Sequence, residues 1–175
     1  MADPAAHLDR VGEVVEDLAA LGLEPILVGG MALVTMGSRR VTRDFDFVIA
    51  HPGDRLQRLV EVLYARGLEL ASHVNADGDV TATIDNARVA AVRLRIDRPS
   101  GAYFVDPATG LRLDLLFDFP KSAAELATRA RRLTIRSRRF RIASAADLLE
   151  LKTIARASRS TPGDAEDIAF LQARL

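Results

Sequence analysis

The stretch Asp44-Phe45-Asp46-Phe47-Val48-Ile49-Ala50 constrains the fold more than any other in this 175-residue chain. Its alternation predicts a β-strand, because successive strand side chains point to opposite faces. Phe45, Phe47 and Ile49 then enter a core, while Asp44 and Asp46 project together from the other face. Adjacent carboxylates repel, so such a pair either faces solvent or holds a cation. The flanking segments switch between helical and strand periods. Leu8, Val11, Val14, Val15, Leu18 and Leu21 predict a helix over about 4–21, closed by Gly22. A short buried strand is expected over 24–28, a short helix over 31–36 and a longer helix over about 54–65.

Farther along, 79–84, 87–96, 102–106 and 111–118 read as strands, separated by turn residues such as Asp77-Gly78 and Asp85-Asn86. A helix is expected near 122–128, then two basic β segments near Leu133 and Phe140. Two helices close the chain, one over 145–156 capped by Ser144 and one over about 164–171. This order predicts an α/β (α+β) class, with a mixed β-sheet flanked by helices. A single domain over 1–175, with helices 144–175 packed on the core, suits the length.

Composition removes several classes of function. There is no cysteine, which excludes disulfide scaffolds, zinc–cysteine sites and thiol chemistry. His7, His51 and His73 lack zinc-ligand spacing. No apolar run reaches the roughly 18 residues of a membrane helix, and the acidic, amphipathic start does not resemble a signal peptide. No membrane partner is expected, and a cytoplasmic location is. The net charge is zero but unevenly placed: residues 1–30 hold six acids against Arg10, whereas 129–141 hold seven arginines and no acid. Those seven, Arg129, Arg131, Arg132, Arg136, Arg138, Arg139 and Arg141, fit either a phosphate-rich partner or a solvated edge that charge protects from pairing. Lysine occurs only at 121 and 152, so Lys152 within an apolar helical pattern stands out.

Two further features bear on the carboxylate pair. Gly29-Gly30 lies between an expected strand and an expected helix, where backbone without a Cβ can approach a phosphate closely. Asp114, in Leu111-Arg112-Leu113-Asp114-Leu115-Leu116-Phe117-Asp118, lies opposite Leu113, Leu115 and Phe117. If that strand adjoins the 44–50 strand, Asp114 joins Asp44 and Asp46, and three acids can hold two Mg²⁺ ions. Asp118 competes for the third position from nearer the strand end.

Gly29-Gly30-Met31-Ala32-Leu33, Arg40-Val41-Thr42-Arg43-Asp44-Phe45-Asp46-Phe47 and Leu113-Asp114-Leu115 together resemble the DNA polymerase β-type nucleotidyltransferase superfamily. The Gly-Gly form and the Arg-x-Thr-x-Asp-x-Asp run are most similar to AbiEii-type abortive-infection toxins and their small relatives. Ala145-Asp147-Leu148-Leu149-Leu151-Lys152, followed by Asp164, Asp167 and Ile168, is similar to their closing helices. The resemblance spans about residues 24–170, with nothing specific over 70–105. It departs at Gly30, where many of these transferases carry serine.

The resemblance implies that Gly29 and Gly30 cradle nucleotide phosphates, that Asp44 and Asp46 bind Mg²⁺, and that Asp114 is third ligand or general base. Two Mg²⁺ ions would accompany the NTP. Lys152 would reach the triphosphate; the other reading of Lys152 is a side chain snorkelling to water. Arg40 and Thr42 would contact phosphate or fix their loop. Asp164 and Asp167 would hold the last helix through Arg156 or Arg159. The implied reaction moves a nucleoside monophosphate from an NTP to a hydroxyl. RNA or tRNA on the arginine run is the favoured acceptor, in a setting with a possible antitoxin. The alternatives are a small antibiotic-like molecule, a protein side chain, or a non-catalytic relative that binds nucleotide or a partner.

Overall fold

The computed structural model describes residues 3–159 and 161–175, leaving Met1, Ala2 and Ser160 outside the description. Helix α1 (Pro4–Ala20) starts at Asp3, whose side chain accepts from the Ala5 N–H, and buries Val11, Val14, Val15 and Leu18. Strand β1 (Ile26–Val28) is wholly buried. Then come α2 (Gly29–Thr35) and β2 (Phe45–Ile49), followed by a 3₁₀ turn at Gly53–Arg55 that leads into α3 (Leu56–Ala65). The middle of the chain forms β3 (Glu69–Val74), β4 (Val80–Ile84), α4 (Ala87–Asp97), β5 (Gly101–Val105) and β6 (Arg112–Phe117). It closes with α5 (Ala123–Ala127), β7 (Arg131–Ile135), β8 (Arg138–Ile142), α6 (Ala145–Ser158) and α7 (Asp164–Gln172).

All eight strands join one mixed sheet in the order β4-β3-β5-β6-β2-β1-β8-β7. The centre pairs β2 with β6 in parallel and β2 with β1 antiparallel, while β1 runs parallel to β8. Hairpins β3–β4 and β7–β8 form the two edges. Directly paired residues share a face. Phe47 therefore lies between Leu27 and Leu115, and all three join the core with the apolar stripes of α1 and α3. The opposite face carries Val28, Asp46, Asp114 and Tyr103.

Three expectations need correction. Residues 87–96 form a helix rather than a strand. Asn86 caps it by accepting from the Val89 N–H (3.1 Å), and apolar residues on both sides of the helix mimic strand alternation. Strand β3 is an addition: its exposed, polar second half gives little period-2 signal, and its pairing with β4 is irregular around His73. Gly29-Gly30 does end the strand, but the helix starts at Gly29 rather than at Met31, so the pair forms the first turn of α2.

Candidate active site

Parallel pairing of β2 with β6 sets Asp46 opposite Asp114, with strand axes roughly 4.8 Å apart. Both carboxylates leave the same face of the sheet. Asp114 is 8% exposed, and Asp46 borders a cavity of about 440 Å³. Asp44 stands one residue before β2, so the strand begins at Phe45 rather than at Asp44. It still lies within the same electrostatic field, since Arg112 and Asp114 both perturb it.

The electrostatics describe a cluster short of positive charge. Burial, and then the neighbouring Asp114 carboxylate, push the Asp46 carboxyl up to about 8. Burial is also the largest influence raising Asp44, with Arg112 acting against it. The cation within the cluster is Arg112, two residues before Asp114 on the same strand face. Its Nε donates to Asp114 Oδ1 (2.9 Å), Nη1 donates to the Gly78 carbonyl (2.8 Å), and the guanidinium lies 4.2 Å from the centre of the Tyr103 ring. Arg112 was not among the expected site residues, although its i−2 spacing from Asp114 on one strand face is visible in the sequence.

Among the described residues, no three His, Cys, Asp or Glu side chains form a ready-made metal cage. The donor set nevertheless fits Mg²⁺, which binds through one or two carboxylates and completes its shell with water and substrate phosphate. Two features fit a cation here: the facing Asp46 and Asp114 carboxylates, and the close approach of the Gly29 backbone to Asp46. Gly29 has φ +67° and lies so close to Asp46 that a Cβ at this position would collide with the carboxylate. No side chain caps the first turn of α2.

The cavity lies between this glycine pair and the closing helices. Gly29, Gly30, Arg40, Asp46, Lys152 and Asp167, with Ser158, Arg159 and Thr161, supply its polar wall; Leu116, Phe119, Leu148, Leu151 and Ile154 supply most of its apolar wall. The structure thus gathers five of the predicted site residues, Gly29, Gly30, Arg40, Asp46 and Lys152, around one space. A Cβ at Gly30 would stand 3.0 Å from the Arg40 guanidinium, so the departure from serine makes room for that side chain. Phe119, half exposed at the cavity, and the apolar wall from α6 escaped the sequence analysis because neither carries a polar signature.

Several expectations are corrected here. Thr42 does not face this cavity; it lines a separate recess of about 360 Å³ with His7, Met31 and Phe45. No strand ladder covers residues 38–44, so nothing holds Thr42 on the side of Arg40. Asp118 is no third ligand: it adopts φ +49° and accepts from the His51 and Ala123 N–H groups, 2.9 Å each. Asp164 and Asp167 do anchor the last helix, but through other cations than Arg156 and Arg159. Lys152 Nζ lies 2.8 Å from Asp164 and 2.9 Å from Asp167, and Arg40 also pairs with Asp167. Lys152 therefore neither snorkels freely nor stands unpartnered in the cavity.

The arginine run is divided. Arg129 binds Asp147 through two hydrogen bonds, Arg138 pairs with Glu13 and Glu16 of α1, and Arg141 pairs with Glu24 and donates to the Ala127 carbonyl. These three contribute to folding contacts. Arg131, Arg132, Arg136 and Arg139 remain exposed on the β7–β8 hairpin. Register places Arg132 opposite Arg141 and Arg139 opposite Thr134, on the sheet face that carries Asp46.

Among the described residues, no helix is long and apolar enough to cross a membrane. No family model matches the chain, and no curated protein matches it in sequence. Solved structures do match its fold. The lincomycin-bound lincosamide antibiotic adenylyltransferase LnuA aligns with a TM-score of 0.58 at 14% identity, over 95% of this chain and 97% of that one. The antibiotic-resistance factor ANT(2'')-Ia aligns with a TM-score of 0.58 at 11% identity, over 97% and 84%. An antigenic nucleotidyltransferase-like protein from Paracoccidioides brasiliensis gives 0.58 at 17% identity, over 93% and 75%. A mixed sheet that pairs two acid-bearing parallel strands at its centre, matched along nearly the full chain, identifies the architecture as the nucleotidyltransferase fold.

Proposed function

We propose that this protein is a Mg²⁺-dependent nucleotidyltransferase that moves a nucleoside monophosphate from an NTP to a hydroxyl acceptor. The observation that carries this is Asp46, paired across β2 and β6 with Asp114 and set against Gly29, on the wall of a cavity of about 440 Å³. Asp44, Asp46 and Asp114 would hold the metal, which would supply charge neutralisation on the phosphate oxygens. The backbone at Gly29 and Gly30 lies against the phosphates, and Arg40 and Lys152 offset their charge. Leu148, Leu151 and Phe119 enclose the base. Arg112 fixes the orientation of Asp114, which takes the proton of the attacking hydroxyl. The acceptor oxygen then bonds to the α-phosphorus as the bond to pyrophosphate breaks.

RNA, such as tRNA, is the acceptor this reading favours. Arg132 and Arg139 share the face of Asp46, and β8 and β7 lie two and three strands from β2, roughly 10 and 14 Å across the sheet. Contact with a nucleic-acid backbone on that edge fits the distance. The AbiEii-type resemblance adds a toxin–antitoxin setting to the same proposal. A small hydroxyl-bearing acceptor is the second reading, favoured by the fold match along 97% of an antibiotic adenylyltransferase.

Incubation of the purified protein with Mg²⁺, each labelled NTP, and total RNA, protein or aminoglycoside in separate reactions tests both. Label is expected in RNA, and its transfer should vanish with chelator and in Asp46→Ala. Label in the small molecule alone selects the second reading. NTP binding that chelator leaves unchanged, without transfer to any acceptor, overturns the proposal.

A further inference from the structure

Helix α4 is apolar on two opposite sides. At 100° per residue, Ala90, Ala91 and Leu94 point one way, and Val89, Val92 and Ile96 point the other. The first set is buried where α4 packs on α3 and β4. The second is 53%, 42% and 72% exposed, respectively. A second apolar stripe, on the side away from the core, has no cover within its own chain among the described residues. The borders of that stripe are basic. Arg93 is held by Asp97 at 2.6 Å, whereas among the described residues no carboxylate pairs with Arg88 or Arg95, which line the other border.

We propose that the outer face of α4 docks an acidic amphipathic helix of a partner protein. Its apolar residues would rest on Val89, Val92 and Ile96, and its carboxylates would pair with Arg88 and Arg95. Charge selects this occupant over the others. A second copy packed α4 on α4 would set arginines against arginines. A lipid surface would call for the aromatic or leucine-rich face of an interfacial helix, and this stripe has neither.

Two synthetic helices test the proposal with the full chain. Both carry leucine at i, i+3 and i+7; one is flanked by glutamate and the other by lysine. The glutamate helix is expected to bind at least about tenfold more tightly at low salt, a difference of about 1.4 kcal/mol. Arg88→Glu with Arg95→Glu should reverse the preference. Val92→Glu with Ile96→Glu should remove binding of both, and Val92→Ser with Ile96→Ser serves instead if the melting curve shows misfolding. Equal affinity for the two helices, no binding of either, or a preference that survives charge reversal overturns the proposal. So does self-association abolished by the Val92 and Ile96 changes, or binding to anionic vesicles alone.

Discussion

Asp46 and Asp114 are direct neighbours across a parallel strand pair, yet the only cation bonded to either among the described residues is Arg112, which holds Asp114. Burial foremost, and then the Asp114 carboxylate, push the Asp46 carboxyl far above the ordinary carboxylate range.

The proton on Asp46 makes stability fall as pH rises. The unfolded chain releases it near 3.8, whereas the folded protein retains it to about 8. Between those values the folded state binds more protons, so stability is full below pH 3.8 and declines toward pH 8. Asp46→Asn should flatten this slope in thermal melts without metal. Added Mg²⁺ should raise the melting temperature more at pH 8 than at pH 5, because binding displaces the proton.

Arg112→Met should be costly in two ways. It leaves Asp114 buried without its partner, a loss of about 2–4 kcal/mol readable as a lower urea midpoint. Under the proposed function it should also lower the transfer rate. Arg112→Lys restores charge but not the fork geometry, so recovery of both quantities should be partial.

The two glycines of α2 should respond differently. Gly29→Ala places a Cβ at φ +67° and against Asp46, and is expected to destabilise by more than about 1 kcal/mol and to weaken Mg²⁺ binding. Gly30→Ser meets only the guanidinium end of the Arg40 side chain and should cost less than about 1 kcal/mol. Parallel urea titrations of the two variants, with and without Mg²⁺, check the contrast.

At the closing helices the pH dependence has the opposite sign. Lys152 foremost, and then the Thr161 N–H and hydroxyl, hold the Asp164 carboxyl well below its usual value. Its contribution is present above pH 3.8 and is lost as pH falls further. Asp164→Asn should remove that acid-side loss, and hydrogen exchange should show α7 opening more often than in the parent at neutral pH.

Local pattern carried the centre of the fold into view. Alternation around Phe45 and Phe47, and around Leu113 and Leu115, marked the two strands that hold Asp46 and Asp114. Where pattern misled, tertiary packing had the deciding role. Val89, Val92 and Ile96 face away from the core of their own chain, so the helix they belong to has no single apolar stripe to reveal it. The Arg-x-Thr-x-Asp-x-Asp resemblance groups Thr42 with Arg40, but the loop between α2 and β2 has no ladder to fix which way its side chains turn. The cations that meet Asp164 and Asp167 come from α6 and from the loop before β2, a juxtaposition set by how α6 and α7 cross. Spacing along the chain carries no record of that crossing.

The strand order has a consequence for synthesis of the protein. Strand β2 emerges early, but its neighbour β6 follows only after two helices and three further strands have been made. A nascent or truncated chain ending before Leu111 thus has the glycine turn and the first two aspartates but lacks Asp114 and Arg112. Under the proposed function, competence to retain a divalent ion would therefore switch on only after β6 is made, and would report completion of the sheet's middle.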